Sequence, residues 1–435
     1  MADRSGVAAG TFLGLLAAAR GAFSTASFGV FEALMTGWVL STGRRTITAM
    51  ICAGDPGGLR AHDAYHRFVR CGQWSLETLW RVMVVHMVRT LSGDGPVRVD
   101  VDDTVFKKTG HSIEGAGNFR DAVRSTRSKV VYALGLNLVV ATLRIDAPWG
   151  GCPIGLPVGV RLHRKGGPTT VDHAVAICRQ LAEWLPGRSL EICADGAYAT
   201  LIGRELLNVT VTSRMRRDAA LYEAAPPRTG KRGRPRKKGA RLETPDAMSA
   251  RLRDRDFSLV EFDCRGKTVQ GLVWSTRVLW YAVDRNRMVT LVIVRDPNGD
   301  CLDEFFVTND GAASDAEVAA RYAGRWSTEV TFREVKQCLG GEDPQSWKGA
   351  GPERAASLSF WLYSVIWTSH IVTFGAARTW IPRPWYPKKQ TPSFLDALAA
   401  LRRTLWSERI TPLSSGRWHQ TKIIDGMLDV LANAA

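Results

Sequence analysis

The sequence has eight cysteines, yet no two of them form a Cys-x-x-Cys pair. A zinc ribbon needs that spacing, so the pattern argues against a structural zinc fold, and a reducing cytoplasmic setting is the simpler expectation. The chain also lacks an uninterrupted apolar run of the ~20 residues a membrane helix requires. Val7 to Ala19 has Asp3 ahead of it and Arg20 directly behind, and the apolar run 357–374 is interrupted by serines and His370. Both read as buried helices, and no membrane partner is expected. Acidic residues are scarce: 42 Asp plus Glu stand against 58 Lys plus Arg, a formal net charge of +16. Such an excess attracts a polyanion through Coulomb forces and counterion release, without separating DNA from RNA or a membrane surface. A carboxylate-pair glycosidase has no use for so basic a surface.

The few acids are placed suggestively. Val97, Val99 and Val101 alternate in Val-Arg-Val-Asp-Val-Asp-Asp-Thr-Val-Phe, a strand pattern ending in Asp102 and Asp103. A second hydrophobic strand, 190–193, runs into Asp195. Further on, Tyr322, Arg325, Glu329 and Lys336 fall within a sector of roughly 60° if the run is one helix at about 100° per residue. Arg offers a bidentate fork to phosphate, Lys a point charge, and a carboxylate suits a hard divalent cation. An ordinary solvated helix face with i, i+4 salt bridges has the same appearance. Carboxylates at two strand ends and on a later helix can converge on a pair of Mg²⁺ ions about 4 Å apart, the arrangement for in-line attack at a phosphodiester.

These residues resemble a bacterial insertion-sequence transposase of the DDE type. The spacing of Tyr322, Arg325, Glu329 and Lys336, with Trp326 after the Arg, is similar to the YREK signature of one large cut-and-paste group; Asp103-Thr104 and Asp195 match its first two acids. The resemblance implies catalytic, metal-binding Asp103, Asp195 and Glu329 holding two Mg²⁺ ions, with Mn²⁺ as a substitute. Asp102 competes with Asp103 for the first position; the family match and its phase with Val97, Val99 and Val101 favour Asp103. The resemblance further implies that Tyr322, Arg325 and Lys336 grip phosphates at the transposon terminus and that Trp326 stacks on an unstacked base. The partners expected are double-stranded DNA, as terminal inverted repeats and target, and a second copy of the chain in a synaptic homodimer. A DNA-binding protein on the same fold that never cuts, and an RNase H-like nuclease without strand transfer, are the alternatives.

The expected fold is α/β: an RNase H-like core with a mixed five-stranded sheet, interrupted by a β-rich insertion and flanked by helical regions. Residues 1–92 read as a helical DNA-binding domain, in which Ser41 to Thr48 resembles a turn into a recognition helix that presents Arg44 and Arg45. The core opens with strands over 97–106, 129–145 and 154–163, then a helix over 171–185, a strand over 190–194, a helix over 200–207 and a strand over 209–213. Residues 214–316 form the insertion. It opens with a basic segment too poor in apolar residues to bury a core, in which Arg232, Arg234 and Arg236 in Arg-Gly-Arg-Pro-Arg resemble an AT-hook. Phosphate contact is the favoured role there; Lys107 and Lys108, just beyond Asp103, are candidates for contact with the DNA strand, with ordinary surface lysines as the alternative. Strands follow over 257–263, 268–274, 277–283, 289–295 and 301–308, with Asn298-Gly299 as a hairpin signal. Residues 317–350 return to the core with the signature helix, and 351–435 are helical.

Overall fold

A computed structural model describes residues 5–110, 112–121, 124–126, 128–227, 236–380, 382–410 and 418–433. The fold is mixed α/β, a large mixed sheet with helices around it. Five helices precede the sheet: α1 (Ser5–Ala18), α2 (Thr25–Leu40), α3 (Ile47–Gly54), α4 (His62–Cys71) and α5 (Leu76–Leu91). The Ser24, Thr46 and Ser75 side chains accept from Ser27, Ala49 and Thr78 N–H and so start α2, α3 and α5. Helices α2 and α3 cross in backbone contact: a Cβ on Gly37 would fall 2.0 Å from the Met50 carbonyl oxygen. Among the described residues no helix is long and apolar enough to cross a membrane.

The sheet contains β1 (Val97–Lys107), β2 (Gly117–Arg120), β3 (Tyr132–Ile145), β4 (Ile154–His163), β5 (Leu190–Ala194), β6 (Val209–Arg214), β7 (Ser258–Cys264), β8 (Lys267–Val278), β9 (Val289–Arg295) and β10 (Glu304–Thr308). Strand β1 lies between antiparallel β3 and parallel β5, and β6 runs parallel to β5. The Thr169-capped α6 (Thr170–Trp184) links β4 to β5. The expected five-stranded sheet is β4-β3-β1-β5-β6, but it does not stop there. Antiparallel pairing of β6 with β10 continues it through β9, β8 and β7, so the β-rich insertion extends one ten-stranded sheet.

Three local expectations are corrected. The helix over 200–207 is a 3₁₀ segment, Gly196–Gly203, whose start is capped by Asp195. The strands expected over 268–274 and 277–283 merge into the single β8, which ends at Val278; Leu279 forms an isolated bridge with Tyr222, and a turn follows from Tyr281. A short helix, α7 (Pro245–Arg251), stands inside the insertion, capped by Thr244 with Pro at its start.

After the sheet come α8 (Asp315–Gly324), α9 (Trp326–Gln337), α10 (Gly351–Phe374), α11 (Phe394–Ile410) and α12 (Trp418–Asn433). One hydrophobic core runs from the first helices through the sheet to α10 and α11. The stretch 357–371, largely apolar with serines, Thr368 and His370 among its large side chains, is buried all round within α10.

Candidate active site

The site is built where β1 and β5 end side by side. Their parallel register pairs Val101 with Ala194, so Asp102 and Asp195 follow at the same level of neighbouring strands. Strand alternation then divides the two adjacent acids of β1. On one face Asp100, Asp102 and Thr104 point toward α8 and α9: Ser327 donates to Asp100 at 3.4 Å, Arg325 to Asp102 at 2.5 Å, and Lys336 to Thr104 at 2.7 Å. On the other face Asp103 accepts from the Tyr198 hydroxyl at 2.9 Å. The expectation that Asp103 shares a pocket with Glu329 is therefore corrected. It is in phase with Val97, Val99 and Val101, but that phase faces away from α9, and Asp102 is the acid on the Glu329 side.

The signature does not lie on one continuous helix. Helix α8 ends at Gly324 and α9 begins at Trp326; Arg325 N–H bonds back only three residues, to the Tyr322 carbonyl, and the Arg325 carbonyl accepts from Thr328. Gly324, just before it, leaves room for the Arg144 guanidinium, which lies 2.5 Å from where a Cβ would stand. Across this junction Tyr322 donates to Asp195 at 3.4 Å, and Arg325 reaches both Asp102 and Glu329, the latter at 2.9 Å. Glu334 is turned away, accepting from Tyr363 at 2.7 Å.

The electrostatics follow from partial burial. Burial is the largest influence on Asp102 and lifts its pKa to about 7; Arg325 opposes this, and Asp195 and Asp103 add to it. Asp103 is also raised, first by burial, against the Tyr198 hydrogen bond. Burial alone would lower Arg325, but Asp102, Tyr322 and Asp195 outweigh it and hold the guanidinium above its usual range. Lys336 is lowered by burial.

The remaining candidates are scattered. Trp326 is 38% exposed, and Arg265 from the β7–β8 turn lies 4.0 Å over its ring. That turn is fixed against residues 151–152: Cys152 bonds the Arg265 carbonyl, and a Cβ on Gly266 would fall 2.1 Å from the Gly151 backbone. Lys107 pairs with Asp121 at 2.9 Å, and Lys108 donates to the Glu342 and Pro344 carbonyls. Arg44 is exposed, but Arg45 is buried beside Asp343, which corrects its expected place on a DNA-facing surface. Arg236 is exposed, whereas Arg232 and Arg234 lie outside the described residues. Sequence reasoning missed the buried Asp100–Arg144 pair. Its signal was an arginine closing an otherwise apolar strand, because a charge carried into a sheet must find a partner.

Carboxylates of this kind are chemically suited to a divalent cation, but as placed they do not fit one. Among the described residues no three His, Cys, Asp or Glu groups stand so that they share an ion, and Arg325 bridges Asp102 and Glu329.

A family model described as DDE superfamily endonuclease matches residues 21–258, more than half of the chain. The chain belongs to that family. The matched region includes Asp102, Asp103 and Asp195 and ends before Tyr322. Among solved structures, the chain is similar to a piggyBac transposase in a synaptic complex with hairpin DNA, at 10% identity and a TM-score of 0.37, over 98% of this chain and 76% of that one. No curated protein matches.

Proposed function

We propose that the chain is a DNA transposase that cuts phosphodiester bonds at the ends of a mobile element and joins the freed ends to target DNA. The observation that carries this reading is the enclosure of two strand-end acids, Asp102 and Asp195, by Tyr322, Arg325 and Glu329 from the junction of α8 and α9. The strand order β4-β3-β1-β5-β6 with α6 between β4 and β5 supports an RNase H-like core. In each step an oxygen of water or of a 3′-hydroxyl attacks phosphorus in line, and the bond to the opposite 3′-oxygen breaks. Asp102, Asp195 and Glu329 surround the reacting phosphate, and Lys336 and Arg325 supply positive charge to its oxygens. Mg²⁺, with Mn²⁺ as substitute, is the cation this class of reaction uses, and Asp102, Asp195 and Glu329 would have to draw closer together to hold it. The partners are duplex DNA and a second copy of the chain that holds the other end.

The test incubates the full chain with Mg²⁺ and duplexes carrying the inverted repeats that flank its coding sequence, and maps cut ends and joined products. Wild type yields both. Asp102→Asn, Asp195→Asn and Glu329→Gln yield neither, while Asp103→Asn retains cutting. Absence of cutting by wild type at correct repeats sinks the reading, and cutting without joined products would make the chain a nuclease.

A further inference from the structure

The tip of the β7–β8 hairpin is built against its own turn chemistry. Cys264 pairs with Lys267, so the loop holds only Arg265 and Gly266, and both have positive φ, at 58° and 78°. A two-residue turn of that hand favours Asn or Asp first and Gly second. Gly266 meets the rule and Arg265 breaks it. Among the described residues the other non-glycine position with positive φ is Asn208, a residue type that tolerates this conformation. A strained arginine at a turn that asparagine would serve better points to a use for its guanidinium.

Among the described residues no carboxylate or carbonyl accepts from the Arg265 side chain; its guanidinium lies 4.0 Å over the Trp326 ring, and the residue is exposed. A contact with a ring face consumes no hydrogen-bond donor, so the planar fork is left for an anion. The backbone beneath it is held in place. The Arg265 carbonyl accepts from the Cys152 thiol at 2.8 Å, Gly266 N–H donates to Asp263 at 3.1 Å, and a Cβ on Gly266 would overlap the Gly151 backbone. The same loop touches α9, where a Cβ on Gly155 would fall 3.2 Å from the Ser327 carbonyl. The tip is thus seated at the start of α9. Trp326 directly follows Arg325, which joins Asp102 to Glu329, so the free fork stands at the edge of the acid site.

Resting on the function proposed above, we infer that Arg265 binds a backbone phosphate of the DNA strand that enters the acid site. The β-rich insertion grips the substrate through this one side chain at its tip. Because the turn is seated before DNA arrives, and Trp326 holds the guanidinium without using its donors, little freedom is lost on binding. A fork on a phosphodiester reads no base, so the contact fixes where the strand lies and not which sequence is bound.

The test is the affinity of the full chain for a duplex ending at its inverted repeat, followed by fluorescence anisotropy in EDTA over a range of salt concentrations. Arg265→Asn gives the turn a residue it prefers, so its urea midpoint should equal or exceed that of wild type. Its affinity should fall about tenfold, and the slope of log affinity against log salt should drop by about one phosphate contact. Arg265→Lys keeps the charge without the fork; it should keep the slope and lose about threefold in affinity. A companion scan replaces single phosphates near the duplex end by uncharged methylphosphonates. One position should weaken wild type about tenfold and leave Arg265→Asn unchanged. In case Arg265→Asn does not fold, the scan compares wild type with Arg265→Lys, in which the same position should matter less. Unchanged affinity and slope in folded Arg265→Asn overturn the inference, whatever happens to its urea midpoint, as do identical scan profiles in wild type and variant. If wild type fails to cut at correct repeats while Arg265→Asn binds more weakly, the contact stands and the transposase reading falls. If wild type cuts and Arg265→Asn binds as wild type does, the reading stands and the contact falls.

Discussion

Two arginine–carboxylate pairs sit on one face of β1, two residues apart, and they are built to different ends. Asp100 is 0% exposed and Arg144 6%, and both Asp100 oxygens accept from the same guanidinium. Ser327 adds a third donor. Neither residue has a side-chain atom that is buried without a partner, so the pair belongs to the core. Arg325 instead divides itself between Asp102 and Glu329 and leaves one donor unmet, with Glu329 37% exposed. The same two functional groups make a fixed strut where water is excluded and both partners are saturated. They make a shared contact where one arginine serves two acids, one of them part exposed.

The largest effect that would break this contrast is Arg144→Met. It leaves Asp100 charged and uncompensated in the core and should cost about 3–5 kcal/mol in urea unfolding; an effect under about 1 kcal/mol would mean that the pair is not sealed. Next comes a buried titratable group whose ring nitrogens have no hydrogen-bond partner. His370 is 3% exposed with neither ring nitrogen hydrogen-bonded. Burial, opposed by Asp396, lowers its pKa from 6.5 to about 4. As pH falls through that window the unfolded chain takes a proton that the native chain refuses, so native stability is lost. The loss should be on the order of 2–3 kcal/mol between about pH 7 and pH 4. His370→Phe should remove this part of the pH dependence of the urea midpoint, and an unchanged slope would assign it elsewhere.

Smaller still is Arg325→Gln, expected to cost roughly 1–2 kcal/mol by the same measurement because its carboxylates can turn to solvent. A loss equal to that of Arg144→Met would erase the distinction drawn above. Smallest is Glu329→Gln, whose unfolding midpoint should move by no more than about 0.5 kcal/mol even though DNA cutting disappears.

Much of the sheet was legible because apolar runs bounded by turn residues make strands: β4, β5 and β9 begin and end where those runs do. Pairing was less legible. The contact of β6 with β10 joins Arg214 to Phe306, and periodicity within a strand says nothing about a partner so distant in sequence. At the site, the acids announced themselves at strand ends. Alternation put Asp102 and Asp103 on opposite faces, but only tertiary structure shows which face α9 covers. A helical wheel drawn through the signature assumed an unbroken helix, and Gly324 was the residue that warned against it. The burial of Arg45 had no local signal, because it depends on the turn after α9 carrying Asp343 to it.

The continuity of the sheet across β6 and β10 has a practical corollary. The strand that neighbours the Asp195 strand has no other partner on its outer side, so excising the β-rich segment as a cassette would strip that side bare. Exposed backbone donors and acceptors there would recruit another copy of the chain. A shortened version of this protein must therefore carry a replacement ribbon, or a guard of charge, along that seam.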